Sequence, residues 1–113
     1  MTEENNKVLN DNPRQAVEEM ITITEELIAR MEIETNAVAT NDGTTFTMNE
    51  ENKEFVANVY DKAAAEFHKR LHDFNQVDKA LIEKLSAAQD SLKQSTNNNL
   101  NLLAKLQDKE ETK

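Results

Sequence analysis

His68 and His72 are the residues whose type and spacing come nearest to chemistry. They sit in Glu66-Phe67-His68-Lys69-Arg70-Leu71-His72-Asp73, one turn apart if the segment is helical. Two imidazoles at i and i+4 can share a divalent metal once a third ligand converges on them. Lys69 and Arg70 bring positive charge to the same place, and the Glu-x-x-His spacing of carboxylate-bridged di-iron bundles is absent. Both histidines flank an apolar stripe rather than centring it, so they read as solvated interface-edge residues, with a metal site as the distant alternative. Ser86, Ser91 and Ser95 fall in helical pattern with no histidine nearby. Cysteine is absent, and the single glycine leaves nothing from which to build a phosphate-cradling loop. The carboxylates read as a solvated face with i,i+4 partners such as Glu26–Arg30. The expectation is a non-enzyme without a cofactor.

The elements that would position these residues are marked by one proline, Pro13, and one glycine, Gly43, in 113 residues. Globular chains normally use many of both in turns. Residues 1–12 read as a disordered polar tail in which only Val8 and Leu9 could pack. Asn12 can cap a helix that starts at Pro13, whose missing N–H is unpaired at that position anyway. From there Val17, Ile21, Thr24, Ile28, Met31, Thr35 and Val38 recur at steps of four and three, widened by Met20 and Leu27, which predicts a helix over 13–40. Asn41, Asp42 and Gly43 open a loop over 41–47, with Phe46 as a cap on the hairpin end or an exposed contact. Thr47-Met48-Asn49-Glu50 then reads as a capping box.

A helical tract follows over 48–106, with apolar positions Val56, Tyr60, Ala63, Phe67, Leu71, Phe74, Val77, Leu81, Leu85, Ala88 and Leu92. Tyr60, Phe55, Phe67 and Phe74 are expected to pack. Breaks are available at 75–78, where polar residues crowd and an N-cap exists, and at 95–99, where asparagines weaken the helix and make this second site the preferred place for a fray or kink. A charged tail over 107–113 ends the chain. The fold class is all-α: an elongated antiparallel helical hairpin or coiled-coil-like bundle, with the second helix very long or broken once into a third.

Length gives this outline a consequence. Helix one reaches roughly 40 Å, whereas an unbroken tract to Leu106 reaches roughly 90 Å. Beyond Phe74 the stripe outruns its partner and must fold back as a third helix, pair with another chain in a homodimer, or receive a client. The residues concerned are Leu81, Leu85, Ala88, Leu92, Leu100, Leu103 and Leu106, a helix-in-groove or coiled-coil surface. A formal net charge of −9 disfavours nucleic acid and anionic membrane surfaces as partners. Neither a signal-peptide pattern nor an apolar run of membrane-spanning length is visible, and the expected localisation is cytoplasmic.

The order Ala16-Val17-Glu18, Leu27-Ile28, Glu34-Thr35-Asn36-Ala37-Val38, then Lys53, Phe55 and Tyr60, and an asparagine-rich segment from Leu92 to Leu106, resembles the FlgN-type flagellar export chaperones. The likeness is to their short, divergent alphaproteobacterial members and covers residues 13 to 106. It implies a cytoplasmic chaperone that keeps the helical ends of hook-associated (hook–filament junction) proteins in solution and delivers them to the type III export apparatus. The family's client-binding helix maps onto Leu92, Leu100, Leu103 and Leu106. The sequence stops soon after Leu106, where family members commonly carry more helix, so the client surface is expected to be shortened or completed by a second subunit. The competing reading is a structural or adaptor coiled coil whose stripe is buried in a homo-oligomer.

Overall fold

The computed structural model describes residues 7–111, with side chains described as far as Leu106. The chain is all-α, measuring 56 × 33 × 20 Å along its principal axes. Helix α1 spans Pro13–Ala39, α2 spans Gly43–Lys69 and α3 spans Lys79–Glu111, with a 3₁₀ turn at Leu71–Gln76 between the last two. α1 is the central element. It packs along both α2 and α3, which lie on either side of it and hardly approach one another.

α1 begins as its sequence dictates. The Asn12 side chain accepts from the Gln15 amide at 3.1 Å, and Pro13 takes the first helical position. Its end is a Schellman motif: the Asn41 amide donates to Val38 and the Asp42 amide to Ala37, at 3.2 and 2.8 Å. The left-handed residue this requires is Asn41, at φ 58°, and not Gly43. Gly43 is instead the first residue of α2. Asp42 caps that helix, accepting from the Thr45 amide at 3.1 Å and from the Thr45 hydroxyl at 2.7 Å. The expected loop over 41–47 therefore shrinks to three residues, Thr40 to Asp42, because a better cap lies upstream of Thr47. Phe46 consequently lies in the first turns of α2, half-buried.

The tract beyond Gly43 breaks once, at the 75–78 site. Arg70 leaves helical geometry at φ −109°, the 3₁₀ turn follows, and Val77 is extended at ψ 145°. Asp78 restarts the chain by accepting the Ala80 amide on its side chain, while its carbonyl accepts from Leu81 and Ile82. Phe67 and Phe74 stack across this corner with ring centroids 4.2 Å apart, and the Arg70 guanidinium sits 5.4 Å over the Phe74 ring. The preferred break at 95–99 is corrected: this segment is continuous helix, held to α1 through Asn99, and helix continues through the expected charged tail as far as Glu111. Residues 112 and 113 lie outside the described residues.

The core joins Ala16, Val17, Met20 and Ile21 of α1 to Ala63 of α2, Phe74 of the turn and Leu85 of α3. Leu9 belongs to it as well, and this corrects the polar-tail expectation for residues 7–12. Glu66 accepts the Val8 amide at 2.5 Å and the Leu9 amide at 2.9 Å, and Arg70 donates to the carbonyls of Asn10 and Asp11 at 2.8 and 2.9 Å. These bonds satisfy backbone groups that would otherwise be desolvated as Leu9 enters the core. Residues 1–6 of the expected tail lie outside the described residues. No helix among the described residues is long and apolar enough to cross a membrane.

Candidate functional site

The leucine stripe divides into two parts in the folded chain. Leu85, Ala88 and Leu92 are buried and Leu81 is half-buried. The expectation that they form an unpartnered face is corrected: the 3₁₀ turn reverses the chain, and α1 offers a second flank, through Val17, Ile21 and Thr24, wide enough to take α3. The remainder behaves differently. Leu100 is 57% exposed and Leu106 38%, while Leu103 is half-buried.

Register explains the exposure of Leu106, while Leu100, one residue and about 100° around the helix from buried Asn99, faces away from α1. Asn99 of α3 donates to Thr35 of α1 at 2.9 Å, which places these two residues side by side. α1 continues only four residues past Thr35, but α3 continues twelve past Asn99. The surplus of about eight residues carries α3 roughly 12 Å beyond the end of its partner. Leu106 lies on that projecting segment.

Directly below the projection lies a polar cluster joining all three helices. Glu34 of α1 is only 3% exposed. One of its carboxylate oxygens accepts from Lys53 of α2 at 2.6 Å and the other from Asn99 at 2.8 Å. Glu50 approaches the same ammonium at 3.5 Å. Burial pushes the Glu34 carboxyl up, but the bonds from Lys53 and Asn99 outweigh it and hold the group below its ordinary value. Burial likewise pulls the Lys53 ammonium down, and Glu34, with a smaller contribution from Glu50, raises it above its ordinary value. Asn49 donates to the Arg30 carbonyl at 3.0 Å, while its own oxygen and Glu50 Oε2 are buried without a protein partner. Both oxygens of Glu34 are engaged, so the cluster acts as a clasp that sets the register of α2 and α3 on α1.

His68 and His72 are both exposed and lie on different elements, the last turn of α2 and the 3₁₀ turn. The helix break at Arg70 removes the i,i+4 relation on which shared ligation depends. Among the described residues no group of three or more His, Cys, Asp or Glu side chains is placed to hold a metal ion. Ser86 and Ser91 are exposed and Ser95 half-buried. Tyr60 and Phe67 pack against the core and Phe74 is part of it, but Phe55 is 68% exposed, against the expectation that it packs. A signal for this existed. Val56, Tyr60 and Ala63 set the buried face, and Phe55 falls about 100° off Val56, in line with the exposed Met48 seven residues earlier. The clasp had a weaker signal, since nothing local pairs Glu34 with Lys53 or with an asparagine 65 positions away.

Fold and site together define a class, a three-helix bundle with a central first helix and a projecting, leucine-bearing third helix. No family model, curated protein or solved structure matches the chain.

Proposed function

We propose that the protein is a helix-binding chaperone whose client surface is the projecting end of α3. The observation that carries this reading is the exposure of Leu100 on the outer face of α3 and of Leu106 on the segment that outruns its partner. An amphipathic client helix would bury these side chains together with the half-buried Leu103, each large apolar side chain contributing about 1.5–3 kcal/mol before ordering costs. Leu81, Leu85, Ala88 and Leu92 serve the bundle instead. The net charge of −9 would help keep an aggregation-prone client dispersed.

The resemblance to FlgN-type chaperones supplies the finer form of the proposal. The clients are then hook-associated proteins of the bacterial flagellum, held in the cytoplasm for type III export. Pull-down of a hook–filament junction protein by wild type and by Leu100→Asp/Leu106→Asp tests both levels. Loss of binding with unchanged circular dichroism is expected, and undiminished binding would sink the reading. Light scattering at low concentration tests the alternative. An obligate dimer that covers Leu100 and Leu106 would place the chain among structural coiled-coil adaptors.

A further inference from the structure

The groove between α1 and α2 lies on the flank away from α3. Lys53 points from α2 toward Glu34, which Asn99 of α3 also reaches. Phe55 and Val59 lie on the opposite flank of α2, given about 100° of rotation per residue. They face Thr22, Ile23 and Glu26 of α1 across a shallow apolar depression floored by Val56. The depression continues past Thr22 and Ile23 to Glu18, Glu19 and Val8, where the N-terminal strap closes it. Toward its other end stand Ile33 and Met48, both exposed, the latter by 73%.

We propose that this groove docks a basic amphipathic helix of a partner protein. The charged residues that line it are all glutamates, Glu18, Glu19 and Glu26. Arg14 and Arg30 of α1 meet Glu18 and Glu26 at 3.8 and 3.2 Å, in solvent-facing i,i+4 pairs of the kind that contribute little and exchange readily. Glu19 accepts the Asn10 amide at 2.6 Å, which leaves the rim with one more negative than positive charge. A second copy of this chain, at net charge −9, would bring acid against acid. A helix with Lys or Arg bordering an apolar stripe instead pairs its charges with the rim and its apolar residues with Ile23, Phe55, Val56 and Val59. Exposed Phe55 is the aromatic anchor such an interface needs. The ten residues from Ile23 to Ile33 span roughly 15 Å, which matches about three turns of partner helix. The site is separate from the end of α3 and does not depend on the function proposed for it.

The test titrates the full isotope-labelled chain with two synthetic peptides that share one leucine stripe, one with Lys and Arg at its polar positions and one with Glu. The basic peptide is expected to shift the amide signals of Ile23, Glu26, Phe55 and Val59 and to saturate below about 1 mM. The acidic peptide should leave them unmoved. Phe55→Ser and Glu18→Lys/Glu26→Lys should each weaken the basic peptide by about tenfold or more with unchanged circular dichroism. Leu100→Asp/Leu106→Asp should bind it like wild type. Absence of shifts, equal binding of the two peptides, or shifts gathered on α3 would each overturn the proposal.

Discussion

Asn99 of α3 and Glu34 of α1 meet at 2.8 Å inside the bundle, 65 residues apart in sequence. Asn99 lies in the one stretch of α3 whose local sequence argues against helix. Its side chain donates to both Glu34 and Thr35, so a tertiary bond holds straight a segment that propensity alone would fray.

Asn99→Ala should therefore cost about 1–3 kcal/mol, because Glu34 keeps its burial and loses a donor. Urea unfolding would read this as a lowered midpoint at constant slope. Hydrogen exchange should rise most between Ser95 and Leu106, and a uniform rise over α1 and α2 would contradict the local role given to Asn99.

Acid should weaken the same clasp. The Glu34 carboxyl is held below its ordinary 4.5, so the stability it contributes is complete above that value and is lost as pH falls through the depressed folded-state value. Asp42, lowered from 3.8 chiefly by the Thr45 hydroxyl, acts in the same direction at a fully exposed site. At the alkaline end the signs reverse. Lys53 is raised above 10.5 and burial raises the Tyr60 phenol above 10.0, so both contributions are present below those values and fade as pH rises through the folded-state ones. Glu34→Gln should flatten the acid limb of a stability–pH curve, and an unchanged limb would remove Glu34 from this role.

The strap offers a separate prediction. Leu9→Ala should destabilise by about 2–5 kcal/mol, as for any large aliphatic group removed from a core. Glu66→Ala should do less to global stability while sharply accelerating exchange at the Val8 and Leu9 amides, whose acceptor it removes. Protection retained at both amides would show that the strap is held by Leu9 alone.

The hairpin corner reverses the usual expectation for glycine. A Cβ added at Gly43 meets nothing within 4 Å, and its φ is not positive. Gly43→Ala should stabilise by about 0.4–1 kcal/mol through the unfolded state. Asn41→Val, which places a β-branched residue at φ 58°, should destabilise by about 1–2 kcal/mol. Thermal melts of the two variants should move in opposite directions.

Local chemistry determined much of this protein from sequence alone. Asn12-Pro13 starts α1 and the four–three spacing from Val17 to Val38 makes it amphipathic, whereas helix propensity alone favoured a break among the asparagines at 95–99 over the one that forms before Lys79. These are short-range effects, governed by caps, backbone freedom and periodicity within one helix. Three matters were left to tertiary structure. A periodic stripe reveals that a face must be covered without saying by what, and the corner stacked by Phe67 and Phe74 is what turned Leu85, Ala88 and Leu92 back onto α1. Leu9 became a core residue because Glu66, far along the sequence, accepts its amide and Arg70 donates to the carbonyls of Asn10 and Asp11 that follow it. The clasp of Glu34, Lys53 and Asn99 needed all three helices in place before any of its bonds could form. Its register decides how far α3, with Leu106, projects beyond the end of α1.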